Sequence, residues 1–485
     1  MLATISNNIW VILIAINYLL VILTAFVVLT KNINPTKTIS YIIILVFFPF
    51  FGLIVYYLFG QEYRKNKIFN RKNILNQKII TDVSKRLKPD KEEIKELKED
   101  LLDDKIKLVK LLHSNENAPL TTNNEVKIIK NGENKFELLL ADLRKAKQHI
   151  HMEYYILRDD KIGLEVIDIL CAKANEGVKV RLSIDDVGSS VSRKNKKRMV
   201  ESGVEWHSFM PVLFPGFTGK MNYRNHRKIV IIDGQIGYIG GINVSDTYVN
   251  YDDSDKFWRD THLRIIGESV KSLQIHFLMT WEFVSKKEIE IEESFFPKEN
   301  CNEYVAMQIA ASGPDTDWAN IMEVIFTAIV TAEKYVYLTT PYFIPNEQII
   351  TALQVASKSG VDVRLLIPKD SDSWTAKHAT NSYIECLLEA DIKIYRYCKG
   401  FIHAKTIVID DVFSTVGTTN MDYRSFNINF EINAIIYNKE KSLELKSHFF
   451  EDLNESEAID KDRWLKRPKI EKLKESYCRL WAPLL

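Results

Sequence analysis

A polar pattern is written twice in this chain, and whatever fold it adopts must accommodate both copies. The first runs His226-Arg-Lys228-Ile-Val-Ile-Ile-Asp233 and continues to Gly240-Gly241-Ile-Asn243; the second runs His403-Ala-Lys405-Thr-Ile-Val-Ile-Asp410 and continues to Gly417-Thr418-Thr-Asn420. His226 and His403 are 177 positions apart, and so are Asn243 and Asn420. A weaker repeat surrounds them. Gly177-Val-Lys-Val-Arg-Leu-Ser-Ile184 parallels Gly360-Val-Asp-Val-Arg-Leu-Leu-Ile367, and each follows a helix-like stretch and a strand with aromatic residues, at 149–156 and 335–344. Two copies predict two similar lobes rather than a solenoid, which needs three or more units. Helices alternate with short apolar strands beyond Pro119, so each lobe is expected to be α/β, over 119–300 and 301–485.

The N-terminal part reads differently. No residue from Met1 to Thr30 carries a charge, and Ile9 to Leu29 is almost wholly apolar. About 20 such residues span the hydrocarbon core of a bilayer. After a break with Lys31, Pro35 and Lys37, the stretch from Thr38 to Gln61 is again uncharged. The pattern predicts a transmembrane helical hairpin over 1–61, with spans at about 9–29 and 38–60. A cleaved signal peptide fits less well, because a basic leader is missing and the apolar run is too long. Cations are denser after the second span (Arg64, Lys65, Lys67, Arg71, Lys72) than in the loop, which predicts a multi-pass protein of the cell membrane with its long C-terminal part in the cytoplasm. Tyr56, Tyr57 and Tyr63 are expected at that interface. Residues 62–118 are densely charged, yet Ile94, Leu97, Leu101, Leu108 and Leu112 recur at helical spacing, which predicts a solvated amphipathic linker.

Composition narrows the function. The 65 Lys and Arg nearly cancel the 64 Asp and Glu, which removes the footprint of a dedicated nucleic-acid binder. The five cysteines are scattered and never in CxxC spacing, so they predict neither a disulfide framework nor a zinc ribbon, but reduced thiols facing a cytosol.

The doubled motif carries the chemistry. On a strand, His and Lys two apart project from one face and present a ring nitrogen and a cation to one ligand. Asp233 and Asp410, five residues beyond the lysines, complete the catalytic motif but fall on the other face of an uninterrupted strand, and Asp233-Gly234 reads as a turn; they are expected to support rather than touch substrate. For a phosphodiester, Lys228 and Lys405 neutralise charge on the phosphoryl oxygens, with Asn243 and Asn420 as further donors. One histidine attacks phosphorus and the other gives a proton to the leaving alkoxide and later deprotonates the acceptor alcohol. No metal or other cofactor is required, since each lysine holds a cation against the site and no carboxylate cluster suits magnesium.

The H-x-K-x4-D-x6-G-x-x-N pattern resembles the phospholipase D superfamily. The N-terminal hairpin, the Gly240-Gly241-Ile-Asn243 variant and Arg424-Ser-Phe-Asn-Ile-Asn-Phe-Glu431 are similar to bacterial cardiolipin synthases within it. The resemblance implies two α/β lobes sharing one active site, a membrane partner, and a reaction joining two phosphatidylglycerol molecules into cardiolipin with release of glycerol. It implies His226 as nucleophile and His403 as acid. Thr418 stands where the superfamily usually has Ser, and Gly241 has no hydroxyl at the matching place. The rival readings are a hydrolase using water as acceptor and a catalytically silent membrane scaffold.

Other residues keep two readings at this level. Asp260 and Glu431, downstream of the motifs, either orient the histidines or form structural ion pairs. Glu153 and Tyr342 either line the pocket or pack. His149-x-His151 has no third ligand nearby and reads as a strand face. The apolar stretch Pro211–Phe217 is either a buried loop or a lip dipping into the bilayer.

Overall fold

The computed structural model describes residues 2–30, 35–59, 78–87, 105–116, 118–211, 223–254, 256–298, 301–314, 316 and 318–482. The chain divides into two compact units, an N-terminal one within residues 1–63 and a larger one containing both copies of the motif.

In the N-terminal unit a single helix runs Leu2–Thr30. Its segment Ile9–Thr30, 22 residues, is long and apolar enough to cross a membrane, and most of its large side chains are exposed, as in Trp10 (63%) and Phe26 (65%). Such a surface does not suit a helix in water. The second expected span is not one helix. It forms two short helices, Pro35–Phe47 and Pro49–Phe59, because Pro49 has no N–H to donate and its ring crowds the carbonyl four residues back. The chain folds back there: Tyr41 and Tyr56 meet edge to face at 5.7 Å, and Gly52 lies so close to Ile44 and Leu45 that a Cβ would be 2.8 Å from backbone atoms. Tyr56 is therefore buried against Val21, Val28 and Leu45 rather than anchoring an interface. Tyr63 lies outside the described residues.

The larger unit contains two sheets of matching order. The first comprises β1 (Asn124–Lys130), β2 (His149–Tyr154), β3 (Lys179–Asp185), β4 (Glu205–Phe209), β5 (Ile229–Ile232), β6 (Ile236–Gly240) and β8 (Thr261–Gly267), in the order β1-β8-β6-β5-β2-β3-β4. Between β6 and β8 a short strand, β7 (Phe257–Arg259), leaves the sheet. The second sheet comprises β9 (Ala306–Ser312), β10 (Tyr335–Thr339), β12 (Asp362–Pro368), β13 (Lys393–Tyr397), β15 (Thr406–Ile409), β16 (Phe413–Gly417), β18 (Glu431–Tyr437) and β19 (Ser456–Ala458). Its order, β9-β18-β16-β15-β10-β12-β13-β19, repeats the first with one added edge strand. Three short strands lie outside it: β11 (Phe343–Ile344), β14 (Gly400–Ile402) and β17 (Met421–Asp422).

Strand alternation places the sheets face to face. Ile229 and Ile231 of β5 and Val408 of β15 enter one shared core, together with Leu263, Ile265, Ile309, Ile432 and Ala434. Their neighbours Val230 and Ile232 turn to the helices of lobe 1, and Ile407 and Ile409 to those of lobe 2. The charged stretch before lobe 1 is not merely solvated where it is described. The helix Lys78–Arg86 puts Ile80 and Val83 into the shared core, and Ile106–Glu116 buries Leu108 and Leu112 in lobe 2. Ile94, Leu97 and Leu101 lie outside the described residues. No disulfide joins the five cysteines.

Candidate active site

Two short backbone exchanges build the site. β7 of lobe 1 pairs in parallel with β14 of lobe 2, and the His403 N–H donates to the Arg259 carbonyl at 2.7 Å. In the other direction Asn225 bridges to Phe430, and the His226 N–H donates to the Phe430 carbonyl at 2.9 Å. Each exchange sets the next residue of one lobe beside the histidine of the other. His403 Nδ1 lies 2.7 Å from Asp260 Oδ2, and His226 Nδ1 lies 3.1 Å from Glu431 Oε1. Each carboxylate thus lies beside the histidine of the opposite lobe. At His403 the Asp260 carboxylate hydrogen-bonds Nδ1, an arrangement that fixes the tautomer and leaves Nε2 for chemistry, whereas His226 Nδ1 also has the Asn429 side-chain nitrogen at 3.2 Å.

His226 and Lys228 lie in the segment just ahead of β5, and His403 and Lys405 in that between β14 and β15, rather than on the strands where the sequence placed them. Lys228 donates to the His226 carbonyl and Lys405 to the His403 carbonyl. Burial pushes the Lys228 ammonium down to about 7; Glu431 opposes the shift and Lys405 adds to it, so the two cations share one field. Burial likewise lowers Lys405 to about 8, against the pull of Asp260 and Glu431. His403 is lowered to about 4 by desolvation and by Lys405, with Asp260 raising it. A bound phosphodiester anion favours the charged form of all three groups.

Asp233 and Asp410 do not reach this site. Each sits at positive φ (53° and 55°) in the turn after its strand, followed by Gly234 or Asp411, also at positive φ. Such turns suit the twist of a hairpin. The Asp233 carboxylate accepts from the N–H groups of Lys147, Gln148 and His149, and that of Asp410 from Glu333, Lys334 and Tyr335. They staple the hairpin to the start of the neighbouring strand, β2 or β10. Asp410 also holds the buried Lys105 ammonium at 3.3 Å.

Asn243 accepts from the Ile156 N–H and donates to Tyr248 Oη at 2.6 Å, setting the Tyr248 ring 5.8 Å from His403. Asn420 bonds the Asp422 carboxylate, and Asn420 Oδ1 is buried without a hydrogen-bond partner among the described residues. Gly241 lets Asp260 in: a Cβ there would stand 2.2 Å from Asp260 Oδ1. At the matching place Thr418 Oγ1 donates to Glu431 Oε2. Glu153 is buried behind the first motif, accepting from Asn225 at 2.6 Å, and burial raises its pKa. Tyr342 donates to Asp372. His149 and His151 pack against Phe295, and His151 stacks on Phe277. Among the described residues no group of three or more His, Cys, Asp or Glu could hold a metal ion. Residues 212–217 of the apolar loop lie outside the described residues. Sequence reasoning missed Tyr155, whose ring lies 4.2 Å from that of His226, and Tyr248 and Trp258 beside His403. Only their place in aromatic stretches near the motifs hinted at them.

Two matching α/β lobes, each carrying a His-Lys pair and setting a carboxylate beside its partner's histidine, define a two-lobed protein of the phospholipase D type. Comparison with known proteins agrees and goes further. A family model described as "Cardiolipin synthase, PLD-like domain" matches residues 139–281 and 325–453, and one described as "Phospholipase_D-nuclease N-terminal" matches 19–61. The chain is 41% identical over 461 residues to cardiolipin synthase 2 of Bacillus anthracis, covering 95% of this chain and 89% of the relative. It is 38% identical over 467 residues to the cardiolipin synthase of Geobacillus sp. (strain WCH70), covering 96% and 92%. The crystal structure of phosphatidylserine synthase from Haemophilus influenzae Rd KW20 shares the fold, with a TM-score of 0.60 at 12% identity over 78% of this chain and all of that one. The chain belongs to the cardiolipin synthase family, and its long apolar N-terminal helix is consistent with membrane association.

Proposed function

We propose that this protein joins two phosphatidylglycerol molecules into cardiolipin and glycerol through a phosphatidyl-histidine. The observation that supports the reading is the crossed pairing of His226 with Glu431 and His403 with Asp260, which sets the histidine of each lobe against a carboxylate of the other. His226 Nε2 attacks phosphorus of the first lipid. The bond from phosphorus to the headgroup glycerol oxygen breaks, and that oxygen takes the proton of His403. The second lipid's headgroup hydroxyl then gives its proton to His403 and attacks phosphorus, breaking the P–N bond and freeing His226. Lys228 and Lys405 offset the charge on the non-bridging oxygens throughout. The Asp260 carboxylate favours the imidazolium of His403, and the arriving anion favours it further.

Labelled phosphatidylglycerol given to the purified protein in vesicles tests this. Cardiolipin and free glycerol are expected in equal amounts; phosphatidic acid as the main product makes the protein a hydrolase. The larger unit faces the cytoplasm in this reading, on the strength of Arg64, Lys65, Lys67, Arg71 and Lys72 following the apolar segments. The helices Pro35–Phe47 and Pro49–Phe59, folded back on each other, are each too short to cross, which leaves Ile9–Thr30 as the crossing among the described residues and places the N-terminus on the opposite side. Reporter fusions at the two ends read both: an external C-terminus reverses the orientation, and ends on the same side mean a second crossing.

A further inference from the structure

The helix Lys469–Arg479 and the turn after it have two unlike faces. Toward the protein they bury Cys478 and Glu475, with Cys478 in the core of lobe 2 beside the helix Trp374–Glu389. Away from it stand Ile470, Leu473, Tyr477, Leu480 and Trp481, which are 57%, 65%, 54%, 76% and 43% exposed. Steps of three and four keep these side chains on one stripe of the helix. Scattered exposed apolar residues are ordinary, but a contiguous row of this size marks a contact surface.

The charges are sorted as well. By helical position Lys469 lies at one margin of the stripe and Lys474 at the other; Lys472, farther round, pairs with Glu385 at 3.2 Å, and Arg479 turns inward over the Tyr383 ring. Of the two acids, Glu475 pairs inward with Arg467 at 2.7 Å, and Glu471 pairs with Lys474 at 2.7 Å, 4.0 Å from His378. The outward half thus carries apolar groups edged by Lys469 and by the Lys474–Glu471 pair, on a helix whose cations Lys469, Lys472, Lys474 and Arg479 outnumber its acids. Protein interfaces are depleted in lysine, whereas a helix lying in the headgroup region of an anionic bilayer shows this arrangement. The neighbouring helix begins at Trp374, 56% exposed, two residues after Asp372, whose charge acts on Lys405.

We propose that the outward face of 469–481 docks the larger unit onto a bilayer surface containing anionic phospholipid, a contact separate from the N-terminal apolar helix. This goes beyond the reaction assigned above and holds whichever lipid reacts.

The test uses the full chain in vesicles of phosphatidylcholine and phosphatidylglycerol. An environment-sensitive fluorophore is placed on L473C, with the exposed Cys398 changed to Ser, and a reference label on K197C, where Lys197 is 77% exposed in lobe 1. Spin-labelled lipid is expected to quench the label at 473 roughly threefold more than the reference, and the excess to shrink when phosphatidylglycerol is left out. A label at 473 quenched no more than the reference overturns the proposal. So does a bright label that lipid does not quench, which indicates cover by protein, a second copy included. L473E combined with Y477E, both at exposed positions, should lower turnover on vesicles roughly tenfold while leaving turnover in detergent micelles unchanged. Equal turnover on vesicles by this variant and the native protein also overturns the proposal.

Discussion

Adding one methyl group at Gly241 should disable His403 without touching it. A Cβ at that position would lie 2.2 Å from Asp260 Oδ1 and 2.8 Å from both Cγ and Oδ2. Relief requires the carboxylate to retreat by about 1 Å, which takes its 2.7 Å contact with His403 Nδ1 beyond hydrogen-bonding range. Bonds to charged groups contribute about 1.5–3 kcal/mol. At about 1.4 kcal/mol per tenfold change in rate, Gly241→Ala should lower kcat roughly ten- to hundredfold. KM should change little, because Gly241 and Asp260 act through the histidine rather than on the lipid. The assay is conversion of labelled phosphatidylglycerol in vesicles, with a thermal melt to verify folding. In an Asp260→Ala background the same methyl should cost nothing more, since the group it displaces is already gone. A Gly241→Ala protein with kcat within about threefold of the native value, or a full additional loss on top of Asp260→Ala, would refute the reasoning.

Protonation supplies a second prediction. With Lys228 near 7, Lys405 near 8 and His403 near 4 in the empty site, binding an anionic phosphodiester at pH 8 should take up protons, read as buffer-dependent heats in calorimetry; buffer-independent heats contradict it. For the same reason kcat/KM should fall as pH rises through 7 to 8, where the free protein loses its lysine charges. Asp233→Ala and Asp410→Ala should each destabilise the fold by roughly 2–4 kcal/mol, the second more because Lys105 is left buried and unpaired, while kcat of the folded protein changes little; denaturant titration and turnover measure the two. Activity should survive thorough chelation, because the drawn steps use only histidines and lysines; a loss restored by one divalent ion contradicts the mechanism.

The lobes were legible because the repeat is written in residues that obey simple periods. The apolar residues of β5 and β15 alternate between cores as the strand period requires, although the His-Lys pairs fall just ahead of those strands rather than on them. The turn at Asp233-Gly234 was readable from its residue pair, although the stapling bonds to β2 were not. What stayed hidden depends on contacts distant in sequence. The pairing of β7 with β14 joins residues more than 140 positions apart, so the local pattern around Asp260 carries no trace of His403. The N-terminal spans were counted by hydropathy, which does not register that Pro49 interrupts the helix within the uncharged stretch from Thr38 to Gln61. In the charged stretch before lobe 1 the apolar stripe through Leu108 and Leu112 was readable from its spacing, but its packing against lobe 2 depends on residues distant in sequence.

The central claim is that two lobes hold one phosphorus between a histidine that bonds it and a histidine that moves protons. It is tested most directly by mass spectrometry of the rapidly quenched protein and its peptides, kept at neutral to alkaline pH where a bond from phosphorus to histidine survives, after His403→Ala meets a phosphatidyl ester whose leaving group needs no proton. The account predicts a phosphatidyl adduct on His226 that accumulates because the acceptor alcohol is poorly deprotonated, and none in His226→Ala. An adduct on His403 in the native protein would reverse the roles, and cardiolipin formation by His226→Ala with no adduct on either histidine would contradict the mechanism.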